Sequence, residues 1–198
     1  MRPSAFRAAV LGGALCSLLP LAVHAQAAQY RTAPSGFAVT EISINRVVPQ
    51  GTPADQRPKP LKVRIEYGQP HARGRTILGG VVPMDSVWRL GANAATSLTS
   101  DVDLVLGGTS VPKGAYTLFA KPTASGWRLI VNRKTGEWGT QYDASADLAA
   151  IPATARTLAD ARESFTLTLV PESATSLAGK LVFAWGTFEV SVPYEAKP

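Results

Sequence analysis

From Lys62 onward the apolar residues fall on every second position, and that period does more than any other feature to narrow the folds open to this chain. Val63, Ile65 and Tyr67 alternate with Lys62, Arg64 and Glu66, the pattern of a strand with one face in a core and the other in water. Leu98, Val102, Leu104 and Leu106 share a parity, with Thr99, Asp101 and Asp103 between them. Further strands are predicted over residues 38–45, 116–120, 127–132, 165–170, 181–185 and 188–192. Turn residues separate them at Gly107-Gly108, Pro112-Lys113-Gly114, Ser125-Gly126 and Gly186-Thr187. Helical periodicity is confined to 144–149 and 158–162. About eight short strands at hairpin spacing predict an all-β fold. Its expected form is a single antiparallel β-sandwich, Greek-key or jelly-roll-like, with short helical turns.

The N-terminal residues stand outside this pattern. Residues 1–7 carry Arg2 and Arg7 and no acid, residues 8–23 form an apolar run broken at Pro20, and small residues follow at Ala25 and Ala27. That make-up predicts a secretory signal peptide over residues 1–25, with cleavage after Ala25 or Ala27 fitting equally. The run is shorter than the roughly 20 residues a membrane helix needs. Leu15, just before Cys16, is too bulky for a lipoprotein anchor. The expected location is periplasmic or secreted, with no stable membrane anchor after cleavage and with residues 26–198 as one domain.

Removal of such a leader deletes the one Cys and one of the two His. The remainder can form no disulfide, use no thiolate and bind no metal through sulfur, so its stability in an oxidising compartment must come from the core. The leader also carries two of the 20 basic residues, Arg2 and Arg7, so the formal net charge falls from +6 to +4. These charges are scattered, and no nucleic-acid partner is expected. Residues 48–60, VPQGTPADQRPKP, hold four prolines and read as a long loop.

Chemistry concentrates between Tyr67 and Thr96, where Arg75, Trp88, Arg89 and Asn93 sit among Gly68, Gly74, Gly79, Gly80 and Gly91. Guanidinium forks suit carboxylates, phosphates and sugar hydroxyls, and an indole supplies a flat stacking face. The candidate ligand-binding set is Arg75, Trp88, Arg89, Asn93 and Thr96, with Trp138, Tyr142 and Asp143 as a second wall. A structural reading competes: Trp88 and Trp138 as core aromatics, Arg89 bonded to loop carbonyls, Asn93 as a turn residue. His71 in a proline-bounded turn, and Asp101 with Asp103 on one strand face, complete no catalytic or metal constellation. The residues indicate neither cofactor nor metal.

Several segments together carry a likeness to a known family. They are Tyr67-Gly68-x-Pro70, Gly74-Arg75-x-Ile77-x-Gly79, Val87-Trp88-Arg89-x-Gly91-Ala92-Asn93-x-x-Thr96, Pro112-x-Gly114-x-Tyr116-x-Leu118-Phe119 and Glu137-Trp138-Gly139-x-x-Tyr142-Asp143. With these the chain resembles the DUF2911 family of exported bacterial proteins. Its departures are the Pro-rich insertion before Lys62 and the Ala-rich stretch 144–161. The resemblance implies an exported β-rich domain and transfers no reaction. The expected function is a binding module for a small polar or anionic ligand, saccharide-like or another metabolite, at Arg75, Trp88-Arg89 and Asn93. Two alternatives stand beside it: a hydrolase or isomerase using Asp143, Asp101 or His71 with Arg89, and a purely structural or interaction domain. Oligomeric state is not legible.

Overall fold

In the computed structural model, which describes residues 33–198, the alternating runs become nine antiparallel strands. They are β1 (Ser35–Ile44), β2 (Leu61–Pro70), β3 (Thr96–Ser100), β4 (Asp103–Leu106), β5 (Thr109–Val111), β6 (Gly114–Thr123), β7 (Gly126–Asn132), β8 (Asp147–Pro171) and β9 (Ala178–Lys197). The signal segment expected over residues 1–25, with both cleavage positions, lies outside the described residues. Parity decides burial as expected: Val63, Ile65 and Tyr67 are buried, and Lys62, Arg64 and Glu66 are not.

One hydrogen-bonded order, β1-β2-β3-β6-β7-β8-β9-β4-β5, runs through all nine strands. The two longest strands bend it. The first part of β8 pairs with β7, from Trp127↔Ala153 to Asn132↔Asp147, and the rest pairs with β9. Between Thr157 and Arg162, five steps along β8 oppose two along β9, so β8 bulges outward there. The sheet thus folds over one shared core containing Ile65, Leu118, Leu129, Phe165, Phe183, Trp185 and Val190. The all-β antiparallel class expected from the sequence is the observed one.

Several local expectations are corrected. Residues 98–106, one run by parity, divide into β3 and β4, which join different ends of the sheet order. Ser100 makes the break between them, its buried hydroxyl donating to the Val102 carbonyl at 2.6 Å and accepting from the Val102 amide. Of the helical segments expected, residues 144–149 supply only a 3₁₀ turn at Ala144–Ala146, and 158–162 are extended within β8. The Pro-rich loop keeps its expected character, with one 3₁₀ turn at Ala54–Gln56.

Side chains, rather than a backbone ladder, close the seam where the second half of β8 passes β2 and β1. The Leu167 amide donates to the Tyr67 hydroxyl at 3.1 Å, the Leu169 amide to Thr40 Oγ1 at 3.1 Å, and Gln69 Nε2 to the Phe165 carbonyl at 3.0 Å. Each would cost about 1–3 kcal/mol if left buried and unmade. Beyond β2 the seam continues as His71 opposite Ser164, with His71 Nδ1 2.8 Å from Ser164 Oγ and the Ala72 amide donating to the Glu163 carbonyl at 2.7 Å.

Candidate functional site

Trp88 shows how the loop between β2 and β3 is built. Beyond Thr96, where β3 begins, the preceding loop takes its place beside β6: the Trp88 and Ala120 amides and carbonyls exchange hydrogen bonds at 2.8 Å each. The Trp88 indole, 6% exposed, points into the core. Its ring lies 5.2 Å from Phe165, 6.1 Å from Trp185 and 6.4 Å from Phe188. A ligand cannot stack on it.

After Trp88 the chain reverses through Leu90 (φ 55) and Asn93 (φ 63), both in the left-handed region. Such a conformation costs a leucine roughly 1–2 kcal/mol. It is held by Thr96, fully buried, whose hydroxyl donates to the Leu90 carbonyl at 2.8 Å. The turn at Leu90-Gly91 therefore does not bring Trp88 and Arg89 to one pocket. Trp88 goes to the core, Thr96 is a turn brace, and Arg89 lies on the loop side against Gly139, where an added Cβ would sit 2.1 Å from Arg89 Cδ. Among the described residues the Arg89 side chain makes no hydrogen bond or ion pair, and its Nε is buried without a partner.

The segment after β7 docks on this loop. Ala94 and Trp138 form a β-bridge, the Gly139 amide donates to the Asn93 carbonyl at 3.2 Å, and the Ala95 amide to the Glu137 carbonyl at 3.4 Å. Asn93 and Trp138 are exposed, Trp138 at 57%. Tyr142 is turned to structural work: its ring meets Phe119 at 5.0 Å and its hydroxyl donates to Asp147. Burial, and then the neighbouring Asp147, push that hydroxyl well above its ordinary pKa. Asp143 caps the 3₁₀ turn, accepting from the Ser145 hydroxyl at 2.6 Å and amide at 3.0 Å, which holds its carboxyl below the usual range. Asn132, buried beneath this segment, bonds the Asp143 carbonyl and Asp147 Oδ1.

Arg75 is elsewhere. Its guanidinium donates to the His71 carbonyl at 2.7 Å and the Ala72 carbonyl at 3.0 Å, beside a hollow of about 460 Å³ shared with Ile77, Arg162 and Glu163. The eight candidates thus divide among the core, a turn brace, two loops and a cap, rather than forming one site. Residues of the enzymatic alternative are dispersed too. Asp101 accepts from the Lys62 amide at the start of β2, and His71 follows its end. Nine residues of strand put these about 30 Å apart. None of Asp143, Asp101 and His71 is hydrogen-bonded to Arg89, and among the described residues no three His, Cys, Asp or Glu side chains are grouped to hold a metal ion.

One concavity with polar side chains on its floor lies on the outward face of β2, β3 and β6. Register places Glu66 opposite Ser97 and Ser97 opposite Thr117, one row across three strands. That row is the floor. On one side Ser35, Gly36 and Phe37 of β1 rise beside it; on the other, Ala92–Ala95 and Gly136-Glu137 overhang it, enclosing about 380 Å³. Small-ligand sites typically occupy about 300–1,000 Å³. The loop can approach so closely only because Gly68 has no side chain: a Cβ there would stand 1.9 Å from the Ala92 carbonyl oxygen, and the Ala92 amide donates to the Gly68 carbonyl at 3.1 Å. Glu66 Oε1 pairs with Arg64 at 2.8 Å, and Glu137 lies 3.5 Å from Lys134 Nζ. Thr117 donates its hydroxyl to the Lys134 carbonyl at 2.6 Å. Phe37 is 71% exposed.

Of this set, the sequence reading had singled out only Asn93 as a ligand residue. Glu66 and Ser97 are ordinary half-exposed polar positions, and Thr117 is a buried one, until pairing aligns them. The one signal available was Phe37, an aromatic on the solvent parity of β1. A larger hollow of about 680 Å³ at the other end of β1 is lined by Ile44, Val47, Pro58, Leu61 and Leu177, with Arg46 and Lys59, and offers few converging polar groups.

Residues 49–194 match a family model described as a protein of unknown function, DUF2911. No curated protein and no solved structure matches the chain.

Proposed function

For this chain, which belongs to the DUF2911 family through residues 49–194, we propose an exported binding module that takes a small polar ligand in the cleft over Glu66, Ser97 and Thr117. One observation carries the reading: two loops held to each other by the Ala94–Trp138 bridge overhang a row of polar side chains on an otherwise regular sheet face. Loops that carry function are typically held in this way by a rigid scaffold. The proposed ligand position is the cleft beside Asn93, in place of Arg75 and Trp88-Arg89.

Thermal-shift measurement with a library of small polar molecules tests it. A ligand present at about 100 times its dissociation constant adds about 2.7 kcal/mol of stability, which raises the melting temperature of a domain this size by several degrees. The variant Ser97→Phe, which fills the cleft floor while favouring strand, is expected to melt normally and show no such rise. A rise of equal size in Ser97→Phe, or none with any compound in the parent protein, sinks the reading.

Support for export comes from the basic start, apolar run and small residues at Ala25 and Ala27. Protein recovered outside the cytoplasm is expected to begin at Gln26 or Ala28 by mass spectrometry. An intact Met1 in that fraction would overturn export and leave ligand binding to be judged alone.

A further inference from the structure

We infer that the cleft selects neutral polyhydroxylated ligands, sugar rings in particular, and rejects anions; the inference rests on the binding reading just given. Among the described residues, the charged side chains lining the cleft are Glu66 and Glu137, and no Lys or Arg lines it. Lys134 and Arg64 approach these carboxylates at their Oε1 atoms, and among the described residues no hydrogen bond engages either Oε2. A carboxylate oxygen is an acceptor only, with room for more than one donor. It therefore matches the O–H groups of a polyol and opposes another carboxylate or a phosphate, with which it shares a sign.

The remaining walls suit the same chemistry. Ser35 and Ser97 present hydroxyls that donate or accept, while Thr117, 3% exposed, is held beneath them by its bond to the Lys134 carbonyl. At the lip, the Phe37 ring is 71% exposed, on the face of β1 that continues through Val39, Glu41 and Ser43. An exposed aromatic beside convergent polar groups is the combination that receives an amphipathic ring: the C–H face of a sugar covers the apolar surface while its edge hydroxyls reach the carboxylates. The guanidinium first named for anion capture, that of Arg89, lies against Gly139 and does not line the cleft. Phe37 precedes the residues matched by the family model, so the aromatic lip comes from a strand outside the matched segment.

Calorimetric titration of the full chain distinguishes the outcomes. The probes are glucose, galactose, mannose, maltose and cellobiose, set beside glucuronate and galacturonate, which differ from their parent hexoses by one carboxylate. At least one neutral sugar is expected to bind, with any corresponding uronate weaker by about tenfold or more, the consequence of one unfavourable charge contact. Phe37→Ala, which removes a ring already in water, should leave the melting temperature unchanged and weaken the sugar by roughly tenfold. Glu66→Gln should narrow the gap between sugar and uronate. A uronate binding as tightly as its parent hexose, or other small polar molecules binding the cleft while every sugar fails, overturns the inference and leaves the binding module standing. If no compound binds and Ser97→Phe behaves as the parent protein does, both fall together.

Discussion

Replacing Trp88 with alanine is expected to cost about 3–5 kcal/mol of unfolding free energy, the range for large buried aromatics. The indole is 6% exposed and meets Phe165, Trp185 and Phe188, so truncation opens a cavity among three aromatic rings that surrounding strands hold apart. Mesophilic domains keep only about 5–15 kcal/mol in all, which makes this loss a large share. Urea denaturation followed by circular dichroism measures it, with the midpoint falling and the slope retained. At temperatures where the variant remains folded, ligand affinity in the cleft should be close to that of the parent. A loss below about 1 kcal/mol accompanied by lost ligand binding would restore Trp88 as a ligand wall and remove it from the core account.

Gly68→Ala is expected to have the second largest effect, and it links the fold to the cleft. The new methyl would stand 1.9 Å from the Ala92 carbonyl oxygen and 2.7 Å from its carbonyl carbon, both backbone atoms with no rotamer to change. Overpacking of this kind typically costs about 1–3 kcal/mol, and more when the neighbour cannot yield. Relief requires the 91–95 turn to lift off β2, which breaks the Ala92–Gly68 hydrogen bond and moves the overhanging wall of the cleft. Stability and ligand affinity should therefore fall together. Gly36→Ala is the control, because its nearest neighbour is Gln69 Oε1 at 3.9 Å and the added methyl meets only ordinary contact. Equal effects in the two variants would show that the close approach at Gly68 is not what shapes the turn.

Both expectations depend on a distinction between what spacing encodes and what only pairing creates. Period-two alternation determined the all-β class and the inward faces of β2 and β9, because side chains on a strand alternate sides whatever the strand pairs with. The segments around Trp88, Asn93 and Trp138 carried enough unusual residues to mark the family and to mark the β2–β3 loop as a shaped feature. Their roles were a different matter. Nothing in the order Trp88-Arg89-Leu90 says that the indole enters the core while the guanidinium lies against Gly139; that follows from the left-handed turn at Leu90 and from the place left beside β6 before β3 begins. Likewise Glu66, Ser97 and Thr117 are far apart in the chain and individually carry no signal of a site. They become a cleft floor only through the β2–β3–β6 register, with Asn93 and Glu137 brought over them by backbone bonds between two loops. Local periodicity depends on neighbours in sequence and is legible there, whereas a site is assembled from strands whose adjacency is a property of the whole sheet.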